Sequence, residues 1–202
     1  SIFKRPRIHS FTASFLTLIQ EESLNVAHAH QYAGVGVEIS LLSPNISNSG
    51  DTAIYVNPIA WAFWAHKHLV DGVKLKTSLC KGTACQTAFE AAQENDPILA
   101  ISATRDGTTY VLVSNDGADA QTVDVAFLNG ASAQAIYHWQ LPEATVATWP
   151  VETERVGGVY QPTSDALEGL EALPERTQLD VYDGRVQVEV PAYGLALIER
   201  VE

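Results

Sequence analysis

Two histidines, a glutamine and a tyrosine lie at the end of a short apolar segment, and these side chains are well suited to binding a polar ligand. His28, His30, Gln31 and Tyr32 belong to residues 24–34, which we interpret as a buried strand that carries polar side chains at its end. A neutral His and a Gln can hydrogen-bond hydroxyl groups, and a Tyr ring can stack while its hydroxyl donates. Strand alternation directs the two histidines to one side and Gln31 to the other. The structural alternative is that one or both histidines are hydrogen-bonded between layers of the fold.

A helix with both ends marked follows later in the chain. Asn57 can accept from the first-turn N–H groups, Pro58 suits the first helical position, and Gly72 permits a left-handed exit. Trp61 and Trp64 are three residues apart and share one face of this helix. We predict that they pack against a neighbouring layer and do not bind a ligand.

His66 and His68 in the same helix do not fit a metal site. A spacing of two places them about 200° apart around the helix axis, whereas two ligands of one ion are three or four residues apart. We therefore predict surface or interface residues. The acidic stretch 143–202 lacks an Asp-rich loop with calcium-ligand spacing, and the glycine pairs lack the context of a phosphate cradle. Neither a metal nor a cofactor is predicted.

The two cysteines of the chain, Cys80 and Cys85, flank a glycine that lets the chain double back. This spacing favours a local disulfide over a metal site, and two unpaired thiols are the alternative. A disulfide implies an oxidising compartment. The triplet Asn45-Ile46-Ser47 is a glycosylation sequon. Both features favour a secreted or extracellular protein.

Three aromatic residues form the other candidate ligand surface. Tyr137 and Trp139 share one face of a predicted strand, and Trp149 follows ten residues later. Such residues can form an aromatic platform for sugar rings, but the same period-2 pattern is typical of a buried core. We predict that they belong to the core.

Composition sets the class of protein and its partners. The 202 residues are 46% hydrophobic and 18% charged, which is typical of a globular protein. A net charge of -12 argues against nucleic-acid binding, and no apolar run is long enough for a membrane span. The chain begins with Ser1, contains no methionine and shows no signal peptide. We therefore expect a segment of a longer protein.

The periodicity of the sequence changes after the capped helix. Residues 8–22 have helical spacing, and from Val73 onward the period becomes two. The turn sequences Asp106-Gly107, Asn115-Asp116-Gly117 and Asn129-Gly130 separate four predicted strands, which we interpret as a meander. Asp183-Gly184 marks a further hairpin near the end. Regularly spaced short strands of this kind indicate a β-sandwich.

The element order and two short motifs resemble the C-terminal part of clan-A retaining glycoside hydrolases. The likeness rests on His30-Gln31-Tyr32 at the strand end, the capped helix to Val70, the sandwich opening Val73-Lys74-Leu75, and the closing segment Val190-Pro191-Ala192-Tyr193-Gly194-Leu195-Ala196-Leu197-Ile198. In arabinofuranosidases, heparanase-like glucuronidases and agarases, the last βα unit of a (β/α)8 barrel runs into such a sandwich.

The resemblance implies an α+β fold, with residues 1–72 completing a (β/α)8 barrel and residues 73–202 forming an antiparallel β-sandwich. It implies that His28, His30, Gln31 and Tyr32 contact an oligo- or polysaccharide. It also implies a retaining double displacement by two glutamates that precede this chain, so no catalytic residue is assigned here. The N-terminal barrel portion is the expected partner, and the chain alone is not expected to be active.

Two other functions are open at this stage. The first is a non-catalytic carbohydrate-binding or interaction module, in which the α/β segment docks onto a partner. The second is a small independent enzyme with His28 or His30 as its base, for which the sequence offers no matching nucleophile.

Overall fold

The computed structural model describes residues 12–17, 42–46, 52–56, 59–127, 135–141, 149–151, 153–156, 159–162 and 174–201. Within these ranges the helices are α1 (12–17), α2 (Ile59–Lys67) and α3 (Ala88–Gln93). The strands are β1 (Leu42–Ile46), β2 (Thr52–Val56), β3 (Val73–Leu75), β4 (Leu79–Lys81), β5 (Ala84–Gln86), β6 (Ile98–Arg105), β7 (Thr108–Asn115), β8 (Gln121–Ala126), β9 (Ala135–Gln140), β10 (Trp149–Val151), β11 (Thr153–Val156), β12 (Val159–Pro162), β13 (Glu175–Gln178), β14 (Arg185–Val190) and β15 (Leu195–Val201).

A six-stranded antiparallel sheet is the centre of the described structure. Its strand order is β13-β9-β15-β7-β6-β3. The closing strand β15 lies between β9 and β7, and its residues from Leu195 to Arg200 are all buried. A strand covered on both faces needs apolar side chains on both, which explains the nearly continuous apolar run of β15.

The sheet has two covered faces. On one, which we call the helix-side face, α1 and α2 pack on the sheet, and the core is formed by Ala13, Ala62, Ala65, Leu69, Ile101, Ala103, Leu112, Leu195 and Leu197. On the other, the sandwich-side face, the pair β8–β14 packs, and the core is formed by Ala100, Val111, Val113, Ile136, Val186, Val188, Val190, Ala196 and Ile198. This layering confirms the predicted sheet-rich α+β fold.

Two predicted turns are present, the first within the β6–β7 hairpin and the second closing the single Tyr182–Arg185 bridge. Asp106 and Gly107 join β6 to β7 with φ values of 51° and 75°. Asp183 and Gly184 have φ values of 49° and 73° before β14. Positive φ at both central residues is the type I′ geometry, which Asp-Gly adopts readily and which matches the twist of paired strands.

The predicted four-strand meander is wrong. β8 does not continue the sheet beside β7, and it pairs with β14 instead. The buried Asn115 redirects the chain, because its Nδ2 donates to Asp119 O, Val190 O and Pro191 O, and its Oδ1 accepts from Gly117 N. The chain therefore leaves the sheet after β7 and crosses to the opposite layer.

The end of α2 also differs from the prediction. The left-handed residue is Asp71, with φ 61°, and Gly72 is not in the left-handed region. Gly72 instead lies very close to β6: a Cβ at this position would be 3.1 Å from both Ala103 Cβ and Thr104 O. The small residue lets the chain run against β6 as it enters β3.

Smaller sheets lie outside the central one. β10 adds to the β1–β2 hairpin, so a strand from the predicted sandwich segment pairs with one from the predicted barrel segment. β11 pairs with β12, and β4 pairs with β5. Paired strands are therefore present within residues 42–56 and 149–162 as well as in the central sheet.

Candidate functional site

The predicted sugar-contacting residues lie outside the described part of the chain. His28, His30, Gln31 and Tyr32 are in this group, as are the helix-capping residues Asn57 and Pro58. Their roles stay predictions. The chemistry-bearing residues that the structure does describe meet where α2 contacts the sheet.

At this contact, aromatic rings from α2 and the sheet interlock. The Trp64 ring centroid lies 5.4 Å from that of Trp139 on β9 and 4.6 Å from that of His68. The His68 centroid in turn lies 5.1 Å from that of Tyr110 on β7. We call these four residues, with Tyr137, Arg176 and Glu199, the junction cluster. The edge-on packing of Trp64 on Trp139 confirms that Trp64 packs against a neighbouring layer, and Trp61 of the same helix face is buried.

A buried carboxylate anchors the junction cluster. Glu199, on β15, is 6% exposed, and its Oε2 accepts a hydrogen bond of 2.7 Å from Trp139 Nε1. Its Oε1 accepts from Arg176 Nη1 at 3.0 Å. The Arg176 guanidinium also lies 4.0 Å from the centre of the Tyr137 ring. A buried carboxylate needs such partners, because an unpaired charge is costly to bury.

The electrostatics of the junction cluster keep His68 neutral. Burial, with the nearby charges of Lys67 and Arg105, lowers the pKa of His68 to about 4. Burial also raises the pKa of Tyr110, and the Glu199 carboxylate adds to that shift. Within the described ranges, Trp64 Nε1 and His68 Nε2 are buried and have no hydrogen-bond partner.

His66 joins α2 to α1. Its side chain is buried, and Nε2 lies 3.3 Å from the Ala13 carbonyl oxygen. Burial lowers the pKa of His66 to about 4, against the opposing effect of that hydrogen bond. The two histidines thus contact different elements, as their spacing predicts, and both are interface residues.

The junction cluster fastens α2 to the sheet. Both Glu199 oxygens are engaged, and Trp139 directs its N–H at Glu199 and its ring at Trp64. Trp139 therefore packs against the helix-side core, as predicted, whereas the side chain of Trp149 lies outside the described structure. Sequence reasoning missed Glu199, although the adjacent charges of Glu199 and Arg200 within the apolar run of β15 were a usable signal.

The predicted disulfide is present between Cys80 and Cys85. The two residues stand opposite each other in the β4–β5 hairpin, and Gly82 turns the chain with φ 64°. No three His, Cys, Asp or Glu side chains in the described ranges form a metal-ligand group. None of the described helices is long and apolar enough to cross a bilayer.

Comparison with known proteins gives a fold relationship. No family model and no curated protein sequence matches the chain. Among solved structures, it is similar to the GH51 arabinofuranosidase from Xanthomonas axonopodis pv. citri, with a TM-score of 0.57 and 16% identity over 95% of this chain and 35% of that one. It is also similar to a GH30 subfamily 8 xylanase from Clostridium acetobutylicum, with a TM-score of 0.50 and 9% identity over 98% of this chain and 40% of that one.

A third similar structure is a GH86 protein in complex with neoagarooctaose, with a TM-score of 0.52 and 13% identity over 93% of this chain and 25% of that one. The chain thus spans only a quarter to two fifths of the length of these structures. All three are clan-A glycoside hydrolases. The chain therefore shares its fold with a part of each of these glycoside hydrolases, in agreement with the resemblance drawn from its sequence.

Proposed function

We propose that this chain is the C-terminal portion of a secreted glycoside hydrolase that cleaves a polysaccharide by a retaining double displacement. Its two catalytic glutamates lie outside the chain. Residues 1–72 complete the (β/α)8 barrel of that enzyme, and residues 73–202 form the sandwich that braces it. The partner is the N-terminal barrel portion, present as a preceding segment or as a separate chain.

One observation carries this proposal: nearly the whole chain matches about a third of a GH51 arabinofuranosidase in fold, at 95% and 35% coverage. The packing of α1 and α2 on the six-stranded sheet supports the idea of a brace. Ala13, Ala62 and Ala65 are completely buried against the sheet residues Ile101 and Leu197, so helices and sheet share one core. A barrel helix held in this way would keep the adjacent barrel strand in place.

In the proposed enzyme, the predicted strand within residues 24–34 is the last barrel strand, and its C-terminal end lies at the active-site face of the barrel. His28, His30, Gln31 and Tyr32 would then contact the substrate, the first three through hydrogen bonds to hydroxyl groups and Tyr32 by stacking. They bind and orient the sugar, while the chemical step belongs to the glutamates of the barrel.

The first test is activity of the isolated chain. Residues 1–202 are expressed alone and assayed with aryl glycosides and with xylan, arabinan and agarose. We expect no turnover, because nucleophile and acid/base are supplied by the partner. Turnover by the isolated chain would refute the claim that the catalytic groups lie elsewhere.

The second test is the mass of the native species purified from its source. We expect a covalent or associated portion of roughly the 200 residues that most of a (β/α)8 barrel requires. A native species with the mass of this chain alone, and with no companion, would contradict the proposal.

The third test concerns the proposed substrate contacts in the complete enzyme. His30→Ala should lower kcat/KM by about tenfold or more, as loss of a buried hydrogen bond to substrate does. Gln187→Ala, on the exposed outer face of β14, is the matched control and should leave kcat/KM unchanged. If the two variants have the same kcat/KM, His30 does not contact the substrate.

A further inference from the structure

The disulfide of the β4–β5 hairpin lies on the protein surface. Cys80 and Cys85 are directly paired across the antiparallel ladder, and both residues are exposed to solvent. A thiolate can reach an exposed disulfide without any opening of the fold, whereas a buried one is shielded. The disulfide is therefore accessible to thiols in the folded protein.

The hairpin is held in place without its disulfide. Leu79 packs at its start against the sandwich-side core and against the small cluster of Ala88, Ala91 and Leu99. At its end, Thr87 and Glu90 form a reciprocal capping box that begins α3, with Glu90 Oε2 accepting from Thr87 N at 2.8 Å. A disulfide that closes so short a loop contributes less stability than one that closes a long loop, and the contacts of Leu79 and the capping box remain when it opens.

The surface around the disulfide is acidic. An open cleft beside it is lined by Ala84, Cys85, Gln86, Glu90, Gln93 and Glu94. The nearby cation, Lys81, is paired with Asp96 at 2.7 Å, so it offsets little of this negative charge. An approaching anionic thiol is repelled here, and a thiol that carries a positive group is attracted.

We propose that Cys80–Cys85 is a thiol-exchange site that prefers cationic over anionic thiols and opens without unfolding the protein. A thiolate attacks the Sγ of one cysteine and forms a mixed disulfide with it. The S–S bond of the protein breaks, and the other cysteine is released as a thiolate. A second thiol molecule attacks that mixed disulfide, which releases the second cysteine and the oxidised dimer of the reagent. Two electrons pass from two thiols to the protein disulfide.

The test compares cysteamine with glutathione on the folded protein at equal thiolate concentration. Samples are quenched with iodoacetamide, opening is counted by intact mass, and near-UV circular dichroism follows the fold. We expect cysteamine to open the disulfide about fivefold faster at low ionic strength, with the ratio falling toward one in 1 M salt. The near-UV spectrum should not change on opening.

Charge variants sharpen this test. Glu94→Gln removes one carboxylate from the cleft and should lower the cysteamine-to-glutathione rate ratio. Glu189→Gln removes an equal charge from the exposed face of β14 and should leave the ratio at its original value. A ratio of one in the unmodified protein, or opening only together with loss of the near-UV signal, would overturn the proposal.

Discussion

The two faces of the six-stranded sheet are built from different residues. The helix-side core contains the alanines Ala13, Ala62, Ala65 and Ala103, and the sandwich-side core contains the valines Val111, Val113, Val186, Val188 and Val190. Small side chains let a helix backbone approach a sheet closely. β-Branched side chains instead fill the roughly 10 Å between two stacked sheets. The side chains of each face therefore indicate whether helices or a second sheet pack against it.

The faces also differ in their polar contacts. The helix-side face carries the Ser14–Ser114 hydroxyl pair at 2.9 Å, the contact of His66 with α1, and the Glu199 carboxylate. Apolar area is not directional, whereas hydrogen bonds fix position and angle. We infer that these polar anchors, in addition to burial, determine how the helices are seated on the sheet, whereas the sandwich layer has its main polar anchor at one end, where Asn115 donates to Val190 O and Pro191 O.

The largest expected effect tests whether both faces are packed cores. Leu197 and Ile198 are neighbours on β15, both fully buried, and they point to opposite faces. Leu197→Ala and Ile198→Ala should each lower the free energy of unfolding by about 2–5 kcal/mol, measured by urea denaturation. A cost under about 1 kcal/mol for Leu197→Ala alone would show that the helix-side face is not close-packed.

The next prediction isolates the polar anchor of the junction cluster. Trp139→Phe keeps a ring but removes the indole N–H that donates to Glu199 Oε2, so it should lower the free energy of unfolding by about 1.5–3 kcal/mol. Trp64→Phe is the matched control, because its buried Nε1 has no partner in the described structure and its loss removes an unsatisfied donor. An equal cost in urea denaturation would contradict the anchoring role of Glu199.

A third prediction uses pH to probe the α1–α2 contact. The pKa of His66 is about 4 in the folded protein and near 6.5 when unfolded, so the unfolded chain takes up the proton first as pH falls. The free energy of unfolding therefore decreases as the pH falls from 6.5 toward 4, and His66 accounts for about 2 kcal/mol of this decrease.

Urea denaturation between pH 7.5 and 4.5 measures this loss. His66→Gln, which cannot titrate, should show a shallower decline than the unmodified protein. Lys76→Gln, a change at an exposed residue that does not contribute to the pKa shift of either histidine, should keep the original slope. Parallel pH profiles for His66→Gln and the unmodified protein would count against the buried neutral histidine.

The smallest expected effect concerns the close approach after α2. Gly72→Ala should cost about 1–2 kcal/mol, because its Cβ would press on Ala103 and Thr104 of β6. Asp71→Gly should be neutral or stabilising by a few tenths of a kcal/mol, because Asp71 holds the left-handed conformation. The reverse order of stabilities would restore the sequence-based assignment of Gly72 as the left-handed residue.

Local features of the fold could be predicted from the sequence. The turns at Asp106-Gly107 and Asp183-Gly184, and the disulfide, each depend on residues within a few positions of one another. The overall α+β class was also predictable, because the hydrophobic period is helical at α1 and α2 and two in most segments after residue 72, although β1, β2 and α3 do not follow this division.

Only the tertiary structure decided which strands pair and which charges are buried. The sequence around Asn115 fits an ordinary turn, and the crossing of β8 to the opposite layer depends on the carbonyls of Val190 and Pro191, far along the chain. Glu199 is likewise tolerated because Trp139 and Arg176 converge on it from other strands. Turn geometry and periodicity are local properties that the sequence carries by itself. Pairing partners and the compensation of buried polar groups are contacts between distant segments, so they exist only once the chain has folded.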